Sequence, residues 1–181
     1  MSADLIKFNG TWKLEDSDTH NSDKYMQKLG ISYLKRKIAL KMDRTMHFIT
    51  EASDQAKNTT DTVDSPNTPR KFKLTKKQSP NLKRKSSKPE QIYSKFTIKS
   101  QTALSNRDRN VILNVPYQTK TDDGRQVQSV FSFDKKKGIL SRTDQWDDRV
   151  SEHTWELNED GKLIIKVSLD GVTVRQVFRK I

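Results

Sequence analysis

The sequence predicts an all-β fold, an antiparallel meander of short strands. Residues 91–181 contain several short segments whose side chains alternate with period two, the pattern of strands with one buried face. In the last segment, for example, Val174, Gln176 and Phe178 share one face. The dipeptide Asp-Gly, which favours the tight type I′ turn of a hairpin, occurs three times between these segments. Because a long meander must pair or protect its edge strands, a barrel or a sandwich is expected.

Further strands follow from the same alternation on both sides of residue 91. Residues 8–14 and 45–50 predict the first two strands, and residues 92–98 resume the pattern after a long interruption. In the later strands the side chains that share a face are Val111, Leu113 and Val115; Val127, Ser129, Phe131 and Phe133; and Leu163, Ile165, Val167 and Leu169.

Two short helices are predicted between the first two strands. Asn21 and Ser22 suit the start of the first helix, because their side-chain oxygens can accept hydrogen bonds from the free amides of a first turn. This helix covers residues 24–29 and ends near Gly30. The second helix covers residues 31 to about 41 and forms either an apolar stripe or a solvated basic face. Its apolar residues are Tyr33, Leu34 and Ile38, and its basic residues are Lys35, Arg36, Lys37 and Lys41.

The composition excludes several classes of function. The chain has 181 residues and no cysteine, which rules out disulfides, thiolate metal sites and a cysteine nucleophile. Its three histidines lie in separate segments, so structural histidines are expected rather than a metal site. Because no nucleophile–base pair or metal-ligand spacing stands out, we predict no enzyme activity, no metal and no cofactor.

Membrane and secretion signals are not recognisable in the sequence. No apolar run approaches the roughly 18 residues that a membrane span requires. The first residues lack the basic and apolar regions of a secretory signal. The expected location is therefore the cytoplasm, with the nucleus as an alternative.

Residues 51–90 differ in composition from the rest of the chain. They contain four of the five prolines and no glycine, with too few apolar residues to offset roughly 1–2 kcal/mol of backbone ordering per residue. We therefore predict a disordered insertion. It holds ten basic and five acidic residues, which is +5 of the net charge of +12, and no acidic residue lies between Arg70 and Lys88.

Five short motifs occur in order along the chain. They are Phe8-Asn9-Gly10-Thr11-Trp12-Lys13-Leu14; Tyr25-Met26 with Leu29-Gly30 and Arg36-Lys37-Ile38; Phe96-Thr97-Ile98-Lys99-Ser100; Gln145-Trp146-Asp147; and Asp170-Gly171-Val172 with Gln176-Val177-Phe178. In order and spacing they resemble the intracellular lipid-binding proteins, the family of fatty-acid-binding and cellular retinoid-binding proteins. The resemblance covers nearly the whole chain outside residues 51–90.

This resemblance implies both a fold and a function. The family folds as an antiparallel ten-stranded up-and-down β-barrel (clam), capped by a short helix-turn-helix, around a cavity for lipid. Its members are carriers and not enzymes. Residues 51–90 would then be an insertion between the second and third strands of a single domain, residues 1–181, at the end opposite the cap. The ligand portal would be lined by the second helix, with Tyr33, by the turn around Leu104-Ser105-Asn106 and by the turn around Asp122-Asp123-Gly124.

The resemblance also implies a position for the ligand's head group. Fatty-acid binders of the family usually hold the carboxylate with an Arg-x-Tyr pair on the last strand and an inward Arg two strands earlier. In this chain those positions fall on Gln176 and Phe178, and on Glu156. A neutral amide in place of a cation implies a neutral or weakly polar head group, as in the retinol-binding branch.

One cation complicates this assignment. Arg142 and Asp144 share the inward face with Trp146, and would form a polar cluster with Glu156 and Gln176. Three interpretations stay open. Arg142 pairs with an acidic neighbour and holds cavity water, or it receives a ligand carboxylate, or the whole cluster faces solvent.

Two functions from different classes are therefore retained. The leading hypothesis is a monomeric carrier of a fatty acid, retinoid or related lipid, whose helical cap makes transient contact with anionic membranes. The alternative is a basic interaction module, in which the segment from Arg70 to Lys88 binds nucleic acid, an anionic membrane or an import receptor. The cluster Lys83-Arg84-Lys85 is of the type that nuclear import receptors recognise.

Overall fold

The described residues of the computed structural model are 3–50, 95–103, 105–121 and 123–181. They form ten strands and two α-helices, and a 3₁₀ helix, Ala3–Phe8, precedes the first strand. The strands are β1 (Gly10–Ser17), β2 (Arg44–Thr50), β3 (Lys95–Thr102), β4 (Ser105–Ile112), β5 (Tyr117–Lys120), β6 (Gln126–Asp134), β7 (Ile139–Trp146), β8 (Arg149–Leu157), β9 (Leu163–Leu169) and β10 (Val172–Lys180). Helices α1 (Thr19–Lys28) and α2 (Tyr33–Ala39) connect β1 to β2.

All ten strands belong to one curled antiparallel sheet. Their order is β4-β3-β2-β1-β10-β9-β8-β7-β6-β5, so β1 pairs with β10 and the two edge strands are β4 and β5. The side chain of Arg107 on β4 joins these edges. It donates to the carbonyl oxygens of Lys120 and Thr121 at 2.5 and 3.1 Å. The predicted ten-stranded up-and-down barrel with a helical pair is confirmed.

The barrel is held together by large apolar side chains on the inner face of the sheet. Trp12, Phe131 and Phe178 are each about 1% exposed or less, as their period-two positions predicted. Burying a side chain of this size contributes roughly 1.5–3 kcal/mol. The core cluster consists of Leu5, Phe8, Trp12, Phe48, Phe96, Ile98, Val111, Leu113, Phe131, Leu140, Trp155, Leu163, Ile165 and Phe178.

The three Asp-Gly turns are not alike. Asp170 and Gly171 both have positive φ, 47° and 77°, and join β9 to β10 as the predicted two-residue type I′ turn. At the other two turns only the glycine, Gly124 or Gly161, has positive φ. The type I′ prediction was therefore wrong there. Their loops are longer, so a single left-handed residue completes the reversal.

The first helix begins earlier than predicted. Asp18 is its N-cap, and its carboxylate accepts from the backbone amide of Asn21 at 3.0 Å and from the Asn21 side chain at 2.7 Å. Asn21 and Ser22 therefore lie inside the helix, and their prediction as caps was wrong. Helix α2 is shorter than predicted, because Ser32 precedes it as the N-cap and its last residue is Ala39.

Two predictions concern segments next to strand ends. Strand β4 ends at Ile112, so Leu113 and Val115 lie beyond it, although Leu113 remains 8% exposed in the core. The predicted insertion, residues 51–90, falls between β2 and β3 in the chain and lies outside the described residues. Its disorder stays a prediction.

Within the described part of the chain, no helix has the length and apolarity needed to cross a membrane.

Candidate functional site

Five polar side chains lie together on the inner face of β6, β7 and β8. The strand register brings them together, since Ser129 pairs with Asp144, which pairs with Ser151, while Arg142 pairs with His153. In a sheet, such directly opposed residues are close enough for their side chains to interact. We call Ser129, Arg142, Asp144, Ser151 and His153 the polar wall.

The polar wall is a connected set of hydrogen bonds centred on Asp144. Arg142 Nη2 donates to Asp144 Oδ2 at 2.6 Å, and Ser129 Oγ donates to Asp144 Oδ1 at 2.6 Å. His153 Nε2 lies 3.3 Å from Asp144 Oδ2 and 3.1 Å from Arg142 Nη2. Asp144 is 4% exposed. A buried carboxylate of this kind is tolerated because both of its oxygens accept hydrogen bonds.

The protonation states of the polar wall follow from its contacts. Burial alone would raise the pKa of Asp144, but hydrogen bonding from His153 and the charge of Arg142 outweigh it, so the pKa falls from 3.8 to about 2. The pKa of His153 falls from 6.5 to about 4, because burial and the charge of Arg142 outweigh the opposing effect of Asp144. At neutral pH the polar wall therefore holds one cation, one anion and a neutral imidazole.

The polar wall is connected to the helical cap. The hydroxyl of Tyr25 on α1 lies 2.9 Å from Ser151 Oγ, which lies 3.3 Å from His153 Nε2. Burial raises the pKa of Tyr25, so this hydroxyl stays protonated. One continuous set of polar contacts therefore extends from α1 to Asp144.

Three buried donors around the polar wall have no hydrogen-bond partner within the part of the chain that the structure describes. They are Arg142 Nε, Trp155 Nε1 and the hydroxyl of Tyr117, which lies near Ser129 on the paired strand without a well-formed hydrogen bond to it. By contrast, Trp12 Nε1 donates to the carbonyl oxygen of Phe8 at 2.8 Å. A buried donor without a partner costs about 1–3 kcal/mol. These three donors are therefore the atoms at which a bound molecule would gain most.

Aromatic rings and a second arginine surround these donors. The guanidinium of Arg142 lies 5.7 Å from the ring centre of Phe131 and 5.9 Å from that of Trp155, within cation–π range. The Phe131 and Trp155 rings stack at 5.6 Å. On the inner face of β4, Arg109 donates to Ser100 Oγ at 3.2 Å, and its charge also lowers the pKa of His153.

The predicted polar cluster is partly correct. Arg142 and Asp144 lie on the inner face and form an ion pair, as the first of the three interpretations predicted. The placement of Glu156 was wrong. Glu156 lies on the outer face, where Lys166 Nζ donates to its carboxylate at 2.8 Å, and its neighbour Trp155 points inward. Gln176 is on the inner face, but β8 and β9 separate it from Arg142.

The other predicted site residues have different surroundings. Phe178 is 1% exposed and belongs to the packed core. Tyr33 is 65% exposed on α2, with Arg36 and Lys37 within 5.7 and 5.1 Å of its ring centre. Leu104 lies outside the described residues.

Sequence reasoning missed His153, Trp155 and Tyr117 as parts of the site. A signal for two of them was present. Trp155 is the largest apolar residue of β8, and placing it inward also places His153 inward, two residues earlier. Tyr117 had no comparable signal, because β5 has only four residues.

A pocket elsewhere on the sheet contains none of the predicted site residues. It has a volume of about 270 Å³ and lies where β3 begins and β4 ends. Its lining residues are Lys95, Phe96, Asn110, Val111 and Ile112.

Comparison with known proteins agrees with this architecture. No protein-family model matches the chain. Human fatty acid-binding protein 5 is 30% identical over 86 residues, which cover 48% of this chain and 62% of that protein, less than two thirds of its length. Mouse fatty acid-binding protein 5 is 24% identical over 179 residues, covering 99% of this chain and 98% of that protein. A Schistosoma mansoni fatty acid binding protein, solved in complex with arachidonic acid, superposes with a TM-score of 0.69 at 20% identity and covers 99% of both chains.

The fold, ten antiparallel strands with a helical pair, is that of the solved fatty acid binding proteins. The chain is similar in sequence to fatty acid-binding proteins, in agreement with the resemblance of its five motifs.

Proposed function

We propose that the chain is a carrier that binds one long-chain lipid inside the barrel, and that it is not an enzyme. The observation that supports this most is the set of buried, unpartnered donors on the inner face of a capped barrel. Most buried polar groups in a protein interior have a partner, so a group of donors that faces inward without one is typical of a cavity that takes up a ligand or water. The names of the relatives, all fatty-acid-binding proteins, favour the same function.

Fatty acids, retinoids and related lipids are the candidate ligands, and a neutral or weakly polar head group is favoured. The Arg-x-Tyr pair of the fatty-acid binders is replaced by Gln176 and Phe178. The inward cation Arg142 is already paired with Asp144 at 2.6 Å. A free carboxylate therefore meets no uncommitted charge in the polar wall.

Delivery by contact with an anionic membrane is the second element of the proposal. Helix α2 has no buried residue, and its apolar side chains Tyr33, Leu34 and Ile38 are 65, 70 and 45% exposed. Basic residues surround them on the same short helix, each worth about 1 kcal/mol near an anionic surface. Lipid transfer to vesicles should accelerate with anionic lipid and slow with salt. Equal rates to neutral and anionic vesicles would instead indicate diffusion of released ligand.

The basic interaction module remains the alternative function. The segment from Arg70 to Lys88 that would perform it lies outside the described residues. Replacing residues 51–90 with an Asn-Gly turn separates the two functions. The carrier hypothesis expects unchanged lipid affinity, and the module hypothesis expects loss of binding to polyanions or to an import receptor. Cytoplasmic or nuclear location and a monomeric state stay predictions.

The carrier proposal is tested by titrating delipidated protein with long-chain lipids. We expect saturable one-to-one binding with a Kd below roughly 10 μM, about −7 kcal/mol. Native mass spectrometry of the protein as purified would also report any lipid that copurifies. If no fatty acid, retinoid or neutral acyl lipid binds at this concentration, the carrier function is wrong.

A further inference from the structure

The three unpartnered donors are matched by a head group that presents hydrogen-bond acceptors. Arg142 Nε and Trp155 Nε1 can only donate, and the Tyr117 hydroxyl can donate as well. A group that satisfies all three must present acceptor oxygens and needs no proton of its own. A carbonyl oxygen with a neighbouring ester or amide group has this chemistry.

A free carboxylate also presents acceptors, but it would have to share Arg142 with Asp144. A guanidinium binds a carboxylate through one of two edges, Nη1 with Nη2 or Nε with Nη2, and each edge uses its own N–H of Nη2. In this barrel one N–H of Nη2 already donates to Asp144 at 2.6 Å, and Nη2 also lies 3.1 Å from His153 Nε2. A bidentate contact to a ligand carboxylate would therefore need the other edge, and would bring two carboxylates to the same guanidinium.

The ionised Asp144 opposes a ligand carboxylate for a second reason. Asp144 is ionised and 4% exposed, so a second carboxylate beside it would be repelled in a poorly solvated place. An uncharged carbonyl avoids that repulsion. It would also keep the Ser129 and Arg142 contacts of Asp144 intact.

We propose that Tyr117, Arg142 and Trp155 form a head-group subsite that binds the carbonyl of an uncharged long-chain acyl ester or amide in preference to the free fatty acid. This subsite deepens the proposed carrier function and rests on it. It lies on the inner faces of β5, β7 and β8 rather than on β10. The acyl chain then extends along the apolar inner face, past Phe131 and the other rings of the core.

The direct test compares three ligands with the same chain: oleate, methyl oleate and oleamide, delivered from cyclodextrin and measured by calorimetry. We expect the ester and the amide to bind about tenfold or more tightly than oleate, because an uncharged carbonyl avoids the repulsion between the oleate carboxylate and Asp144. The indole N–H resonance of Trp155, assigned with Trp155→Phe, should move downfield with the ester. It should move little with oleate.

The substitution Asp144→Asn should remove the preference. It keeps the shape of the side chain but removes the anion, so the Arg142 charge becomes available to a carboxylate. We expect oleate affinity to rise at least about tenfold while ester affinity changes less than about threefold. Glu156→Gln is the matched control, since it also removes one carboxylate but on the outer face, and it should leave both affinities unchanged.

Single-donor variants test the contacts themselves. Tyr117→Phe and Trp155→Phe should each weaken ester and amide binding by roughly threefold to tenfold, the value of one hydrogen bond. Thermal unfolding of each unliganded variant reports its stability separately from its affinity for lipid.

The possible failures are distinguishable. If none of the three ligands binds, the carrier function itself is wrong. If oleate binds as tightly as the ester and Asp144→Asn leaves their ratio unchanged, the carrier function stands and this subsite is wrong.

Discussion

The inner face of the barrel has two regions of opposite chemistry. On β6, β7 and β8 the polar wall contains an ion pair, two hydroxyls and an imidazole. On β1, β9 and β10 the inward residues are mainly large and apolar, namely Trp12, Leu14, Leu163, Ile165 and Phe178, which we call the apolar wall. Gln176 interrupts the apolar wall, and it has Ile165 on one neighbouring strand and Ser17 on the other.

This difference shows how one sheet can combine folding stability with selectivity for a ligand. The apolar wall joins the first strand to the last, so it holds the middle of the sheet together by burying side chains from both ends of the chain. The polar wall consists of three consecutive strands, so each polar residue finds its partner on a neighbouring strand. We therefore expect substitutions in the apolar wall to change the free energy of unfolding. Substitutions in the polar wall should change which ligand binds and how strongly stability falls at acidic pH.

The largest loss of stability should come from a substitution in the apolar wall. Phe178→Ala should lower the free energy of unfolding by about 3–5 kcal/mol, because it leaves a cavity between Leu14 and Leu163 in a fully packed place. Urea denaturation measures this change. In the polar wall, Ser151→Ala should cost only about 1 kcal/mol.

The control for that prediction is Arg179→Ala. Arg179 follows Phe178 but is exposed on the outer face, so its replacement should stay within about 0.5 kcal/mol of the original stability. Equal losses for Phe178→Ala and Ser151→Ala would show that the two walls do not divide their roles in this way.

A smaller loss of stability, seen only at acidic pH, should come from the polar wall. The folded chain keeps His153 neutral with a pKa of about 4, whereas the unfolded chain binds a proton near pH 6.5. The contribution of His153 is therefore fully present above pH 6.5 and decreases by about 3 kcal/mol as the pH falls toward 4. The lowered pKa of Asp144 adds a further loss between about pH 4 and 2.

Urea midpoints measured from pH 7 to pH 4 check the His153 prediction. His153→Gln should flatten the decrease between pH 6.5 and 4, although its stability at pH 7 will be lower. His20→Gln, at an exposed position at the start of α1, should leave the decrease unchanged. If the decrease persists in His153→Gln, another group is responsible for the acid sensitivity.

The fold could be predicted from the sequence because its signals are local. Period-two alternation reports which side chains share a face, and the turn at Asp170-Gly171 fixes the β9–β10 register within two residues. The resemblance of the five motifs to a ten-stranded family then predicted the number of strands. The helix start at Asp18 was missed because several neighbouring polar residues also favour a cap position.

The site could be predicted only in part because its contacts cross between strands. Arg142 and Asp144 lie two residues apart on one strand, so alternation was enough to pair them. Glu156 was transferred from the family by spacing alone, and a displacement of one residue moves a side chain to the other face of the sheet. The contacts of His153 depend on the register between β7 and β8, which neither strand specifies by itself.

The smallest effect, a change in local opening, should appear at β5, the edge strand of the sheet beside the polar wall. Strand β5 pairs with β6 on one side, and on its other side the Arg107 side chain holds it to β4 through the carbonyl oxygens of Lys120 and Thr121. The apolar wall has no such edge, because β1, β9 and β10 are each paired on both sides. Local opening should therefore be easier at β5 than at β9.

Arg107→Ala should loosen β5 without loosening the apolar wall. Loss of these solvent-exposed, charge-assisted hydrogen bonds should lower the free energy of local opening by about 1 kcal/mol. The amides of Tyr117–Lys120 should therefore exchange with deuterium roughly fivefold faster. Amides of β9 and β10 should keep their rates, which hydrogen exchange followed by NMR resolves residue by residue. Asp108→Ala, the next and outward-facing position on β4, is the control, since it removes a charge that pairs with Lys99 on β3 and not with β5. A uniform acceleration in all strands would mean that Arg107 supports global stability, and the edge of the polar wall would then open only with the whole barrel.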